Sequence, residues 1–214
     1  MNTNKKIAVI GGTGKSGKFL VKELVKSGFQ IKMLVRNPDR VPASNPQIQV
    51  VLGDVLNQTV VNELLEDCEA VISALGWGVP SSKNTISSEG TANVLQQMKL
   101  HQIKRYIVVS GINVDAQGDK KGTTTKAATE WMYANYPDST IDRQFEYKLL
   151  KESHVDWTLV RLPLIALDAE NKPINVSLED CLGDQVSATS LANFLIDQLS
   201  DRRFIKQAPF IANQ

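Results

Sequence analysis

Three glycines spaced three apart, Gly11, Gly14 and Gly17, stand between the apolar run Ile7–Ile10 and the helix-like stretch Phe19–Ser27. Glycines so placed can hold a pyrophosphate. The first permits a tight turn, the second lets phosphate meet backbone, and the third lets the helix pack on the strand. The helix that follows aims its first N–H groups and its positive dipole end at the same place. The turn, which also carries Thr13, Lys15 and Ser16, is therefore a candidate dinucleotide cradle. A P-loop is the rival for these letters and lacks one essential group in either register. With Gly14-Lys15-Ser16 as its end, Val9 falls where a glycine is required; with Gly17-Lys18, Phe19 falls where a hydroxyl must ligate magnesium. The plain alternative is a glycine-rich turn that holds no ligand.

Arg36 follows the second apolar run, Gln30–Val35. An NAD-selective site carries an acid there, whereas arginine suits a 2′-phosphate, so NADPH is expected over NADH, with Lys15 and Arg40 able to join the pocket. The competing reading is a solvated turn residue. Asp54, after Ile48–Leu52, is placed with Val55 beside the adenine, or it closes a simple Asx turn.

These residues need a scaffold that delivers them to one edge, and the hydrophobic pattern supplies it. Strands are predicted at Ile7–Ile10, Gln30–Val35, Ile48–Leu52, Ala70–Leu75, Tyr106–Val109 and Trp157–Arg161, with a short one at Phe210–Ala212. Helices are predicted at Phe19–Ser27, Asn57–Glu66, Asn84–His101, Thr124–Asn135, Ile141–Ser153 and Leu191–Leu199, the fourth and fifth separated by Pro137. Alternation of β and α, with strands that are continuous apolar runs, predicts an α/β fold: a Rossmann-like doubly wound parallel sheet covered on both faces. Ligands then bind beyond the carboxyl ends of the strands, which brings the glycine turn, Arg36, Asp54, Ala74, Leu75, Gly76, Trp77 and Ser110-Gly111 together. No internal repeat or linker divides residues 1–214, so one domain is expected.

Composition removes other classes. With 24 basic and 23 acidic residues the net charge is +1, so no global field gathers nucleic acid or an anionic membrane. Cys68 and Cys181 stand alone, in neither a disulfide framework nor a zinc motif, and no metal site is expected. The apolar run near the N-terminus is too short for a signal peptide, and no stretch approaches the roughly 20 residues of a membrane span. A cytoplasmic location is the expectation.

Ile10-Gly-Gly-Thr-Gly-Lys-Ser-Gly17, Leu34-Val-Arg-Asn-Pro38, Gly53-Asp54, Tyr106-Ile-Val-Val-Ser110 and Asp156-Trp-Thr-Leu-Val-Arg161 together resemble the atypical short-chain dehydrogenase/reductases. The similarity is greatest to the small NAD(P)H-binding proteins of the NmrA-like and biliverdin reductase B (flavin reductase) group, and it runs over nearly the whole chain. It implies an NADP-binding Rossmann fold and a broad range of functions, from flavin and quinone reductases to redox sensors without turnover. By register from Asp156-Trp157, the helix position that carries His in the flavin reductase-like proteins falls on Arg143, which cannot donate a proton near neutral pH. Arg143 either clamps an anionic or carbonyl substrate or pairs with Asp138, Asp142 or Glu146. Ser110 matches the family's serine, where its hydroxyl would bind a substrate carbonyl or the cofactor carboxamide; a turn serine is the alternative. Tyr147 and Lys151 spell the Tyr-x-x-x-Lys pair of standard short-chain dehydrogenases, but Lys151 lies only 161 − 151 = 10 residues before Arg161, at the far end of its helix. Trp77 and Tyr147 are candidates for an aromatic wall.

The expectation is an NADPH-dependent reductase that passes hydride to a small conjugated acceptor such as a flavin or quinone, with Ser110 and Arg143 at the reacting end. The alternative is a non-catalytic NADP(H) sensor acting through a partner protein.

Overall fold

The computed structural model describes residues 6–76 and 84–214. Lys6–Ile10 (β1) runs into Gly17–Lys26 (α1), and Gln30–Val35 (β2) is followed by a 3-10 turn at Pro38–Arg40 and by Ile48–Leu52 (β3). Gln58–Leu65 (α2), Ala70–Ser73 (β4), Ile86–Leu100 (α3) and Arg105–Gly111 (β5) continue the alternation. Thr123–Asn135 (α4) and Pro137–Glu152 (α5) lead to Asp156–Leu162 (β6) and to three short strands, Leu164–Ala166 (β7), Ile174–Ser177 (β8) and Gln185–Ser187 (β9). Ala188–Asp197 (α6) and Phe210–Asn213 (β10) complete the order.

The main sheet runs β3-β2-β1-β4-β5-β6-β10-β8, parallel throughout except that β8 lies antiparallel to β10. Its order reverses between β1 and β4, the switch point where a doubly wound sheet opens a crevice. Successive strand residues bury on opposite faces, which explains the unbroken apolar runs. Ala8 and Ile10 face a core with Val61, Leu64, Val94, Met98 and Leu150 from α2, α3 and α5. Ile7 and Val9 face Leu20, Leu24, Leu191 and Leu195 from α1 and α6.

Three differences from the sequence-based expectation have physical causes. Strand four stops at Ser73 rather than Leu75, because pairing with β1 ends at Ile10↔Ser73 where the glycine turn leaves the sheet. The fifth helix begins at Pro137, not Ile141: proline occupies the first turn, where its missing N–H costs nothing. Strands β7, β8 and β9 are only three or four residues long and partly exposed, too short for periodicity to register.

Beyond the carboxyl ends, residues 112–120 are tied down by a buried cation. Arg161, only 1% exposed, donates through Nη1 and Nη2 to Asp119 (2.7 and 2.8 Å), through Nη1 to Val114 O and through Nε to Ala208 O. Its guanidinium carbon lies 3.5 Å from the centroid of the Phe210 ring. One side chain of β6 thus joins the post-β5 loop to β10.

Candidate dinucleotide site

Gly11 takes φ +79°, which a side chain would strain, and a Cβ there would lie 2.5 Å from Ala74 O, so the turn nests against the end of β4. The amide of Gly14 donates to Gly11 O at 2.9 Å, and a Cβ on Gly17 would overlap that same oxygen. α1 therefore starts hard against the turn. Ser16 at its N-cap makes no side-chain cap, and no acid sits in the first turn. By contrast Asn57 caps α2 through Thr59 N and Val60 N. The end of α1, without a side-chain cap and flanked by Lys15 and Lys18, keeps its dipole turned to an anion, while the Lys18 and Phe19 amides already donate to Gly14 O and Ser16 O.

A cavity of about 1200 Å³ opens over this turn. Gly11, Thr13 to Ser16, Arg36, Asp54, Val55 and Ala74 to Gly76 all line it, as do Arg40 and Ile86. Lys15, Arg36 and Arg40 are exposed on its wall, forming a local basic zone in a chain of nearly balanced charge. One oxygen of Asp54 accepts from Leu56 N at 2.9 Å, an Asx turn, while the residue still faces the cavity. The residues present suit a dinucleotide phosphate: a turn with room for phosphate above Gly14, a helix end without a side-chain cap, and cations along the cavity wall.

Gly17, Ser110 and Arg143 stand outside the cavity lining. Gly17 is packed beneath the turn. Ser110, at the carboxyl end of β5, is 4% exposed, and its hydroxyl has no hydrogen-bond partner. Arg143, on α5, donates through Nη2 to Leu75 O, through Nη1 to Val109 O (3.2 Å), and through Nη1 to Glu146 Oε2 (2.7 Å). It spans the ends of β4 and β5 directly behind the cavity wall at Leu75. Of the three acids within reach in sequence, Glu146 is its partner. Asp142 instead accepts from Ser87 N, Ser88 N and the Ser88 hydroxyl at the start of α3, and Asp138 accepts from Asn84.

Glu146 is a residue that spacing rules pass over. It is fully buried, and Oε1 accepts from Thr91 Oγ1 at 2.8 Å, which in turn lies 3.2 Å from the Tyr106 hydroxyl. Burial pushes its carboxyl up, and Arg143 draws it back. The same burial raises the Tyr106 phenol well above its ordinary range. Polar residues on an inner helix face leave no apolar periodicity to read.

Tyr147 packs edge-on against Trp157, the second residue of β6, with ring centroids 5.9 Å apart, and Lys151 Nζ sits over the Tyr147 ring. Tyr147 is not among the residues that line the cavity, and its hydroxyl meets the backbone of Gln117. Trp77, the other aromatic candidate, lies outside the described residues. Cys68 and Cys181 are free, and burial pushes each thiol up to about 11, which leaves no thiolate nucleophile near neutral pH. Among the described residues, no helix is long and apolar enough to cross a membrane.

Comparison with known proteins agrees with this geometry. A family model described as NAD(P)H-binding matches residues 11–202. An uncharacterized chloroplastic protein of Arabidopsis thaliana is 26% identical over 91% of this chain and 72% of its own length. Of three further curated relatives, the chain spans only 40–48% of the length. A short-chain dehydrogenase/reductase of Veillonella parvula, solved in complex with NADP, shares the fold with a TM-score of 0.83 at 19% identity over 98% of this chain and 94% of that one. ChuY, an anaerobilin reductase of Escherichia coli O157:H7, does so with a TM-score of 0.81 at 16% identity, covering 98% and 97%.

Proposed function

Because the chain belongs to the NAD(P)H-binding family, we propose that it is an NADPH-dependent oxidoreductase that reduces a small conjugated acceptor such as a flavin or quinone. The observation that carries this reading is Ser110: a buried hydroxyl without a partner, at the carboxyl end of the strand beside the switch point. A buried polar group left unpaired costs about 1–3 kcal/mol, which a ligand oxygen would offset. Solved relatives described as reductases support it by analogy of fold.

NADPH, when bound, supplies a hydride. The chain's own residues do the rest. The glycine turn and the start of α1 hold the pyrophosphate, and Arg36 with Lys15 and Arg40 holds the 2′-phosphate. Ser110 donates to the acceptor oxygen as negative charge develops, and Arg143 fixes the wall against which the acceptor lies. Among the described residues no side chain is placed to give a proton: an arginine at 143 is no acid near neutral pH, and the Tyr147 hydroxyl is turned to the Gln117 backbone, with Lys151 over the ring rather than at the oxygen. A delocalised reduced anion is stable enough to take its proton afterwards from water, whereas an isolated ketone needs a positioned acid during transfer.

NADPH oxidation, followed by its near-ultraviolet absorbance, should therefore proceed with FMN or a small quinone and not with simple ketones. Ser110→Ala should slow it by about 10²- to 10³-fold, the scale of one lost donor to a developing anion. Tyr147→Phe should leave it unchanged. Ketone reduction that vanishes in Tyr147→Phe would restore the Tyr-x-x-x-Lys mechanism and overturn the assignment. The engagement of Arg143 by three protein acceptors favours a second reading, an NADP(H) sensor without turnover. Tight NADPH binding with no oxidation across the flavin and quinone panel would select it.

Cofactor choice has its own test. NADPH should bind more tightly than NADH by about 1.5–3 kcal/mol, the scale of a charge-assisted contact to Arg36, and Arg36→Ala should erase most of that difference. Equal affinities in the parent protein would remove Arg36 from the site.

A further inference from the structure

We infer that Glu146 determines which acceptors the site takes, by neutralising Arg143 and so selecting uncharged conjugated carbonyls over anionic ones. The inference rests on the reading above, in which the acceptor lies against Ser110 and Arg143.

An arginine beside a substrate position is ordinarily an anion clamp. Here the guanidinium is held in a different electrostatic setting. Nη1 is shared between Glu146 Oε2 and Val109 O, and Nη2 is turned to Leu75 O. Among the described residues, Nε has no acceptor, so the free edge of the fork retains a donor while the charge behind it is matched. The Arg143 side chain is 13% exposed and that of Glu146 only 1%, so water screens the pair little. Glu146 is held on its other oxygen by Thr91, which prevents it from turning away. A second buried carboxylate, Asp142, stands on the same helix one residue before Arg143, and its charge is met by the Ser87 and Ser88 amides at the start of α3. Asp138, further towards the helix start, is taken up by Asn84. The groups facing Arg143 from α3, α5 and the strand ends therefore sum to no excess positive charge.

Such a fork can donate a hydrogen bond to a carbonyl oxygen and accept the charge that gathers on it during reduction. It offers no net attraction to a ligand that arrives already anionic, which must be desolvated beside two carboxylates. Glu146 touches neither acceptor nor cofactor. It is a positioning residue that also sets the local charge.

Two probes of equal shape separate the effects: naphthamide, neutral, and naphthoate, anionic, titrated calorimetrically into the protein saturated with NADP⁺. The parent protein should bind naphthamide at least about tenfold more tightly than naphthoate. In Glu146→Gln, which keeps a side chain able to bond Thr91 and Arg143 but removes the compensating charge, naphthoate should gain about tenfold or more while naphthamide shifts little. A purely structural role for Glu146 would move both probes together, and that result overturns the inference. So does a parent protein that binds naphthoate as tightly as naphthamide, a comparison that stands even if Glu146→Gln fails to fold. If neither probe binds the parent protein while NADP⁺ does, the acceptor position itself is wrong, and the selectivity assigned to Glu146 falls with it.

Discussion

Gly14→Val should weaken NADPH binding by about a hundredfold or more, close to 2.8 kcal/mol, while the folded protein melts near its parent temperature. A Cβ on Gly14 meets a single protein atom, Gly11 O at 3.1 Å, and the backbone there does not require a left-handed conformation. The isopropyl group would stand in the cavity, in the space where phosphate must approach the backbone of the turn. Gly17→Ala makes the opposite case. Its methyl group has nowhere to go but into the Gly11 carbonyl, so the turn must open and α1 must move. That variant should lose both binding and thermal stability. Circular dichroism melts and NADPH titrations on the same two samples separate them. Parent-like affinity in Gly14→Val would mean that no pyrophosphate sits over this turn.

Asp119→Ala should destabilise the protein by about 3–5 kcal/mol, the cost of leaving one partner of a buried ion pair uncompensated. In a domain of this size that lowers the melting temperature by roughly 6–20 °C. Arg161 cannot escape to solvent, because its guanidinium is pinned between the Phe210 ring and two backbone carbonyls. Among the described residues it would be left with Val114 O and Ala208 O as hydrogen-bond acceptors and with no carboxylate. The cavity lies on other elements, so NADPH affinity measured well below the transition should be retained. A change below about 1 kcal/mol would show that the pair behaves as a solvated surface bridge.

Much of this architecture was legible because the strands are buried on both faces. Ile7 to Ile10 and Ala70 to Ser73 have no polar alternation to confuse them, and the Gly-rich turn follows the first directly. The cavity lining was legible for the same reason: topology alone carries residues after strand ends to one edge. What stayed hidden was polar and long-range. α5 buries Ser139, Thr140, Asp142 and Glu146, which no hydrophobic period detects, and the choice of Glu146 over Asp142 as the partner of Arg143 depends on where α3 begins. Arg161 belongs to a recognisable string, yet its partner Asp119 is 42 residues away, and nothing local marks the two as a pair. β8 and β9 pair with distant strands and show too few residues for a pattern.

The position of β10 has a consequence for biosynthesis. The strand made from residues 210–213 is inserted between β6 and β8, and its Phe210 covers the Arg161 guanidinium. A growing chain therefore emerges from the ribosome with β1 to β6 complete but with β6 as an open sheet margin carrying a buried-type cation that lacks its aromatic cover. Unpaired strand margins template wrong pairing in nascent chains. The margin is paired only once residues 210–213 have been made, long after its neighbour β5 is available, so β6 keeps one open side through that interval.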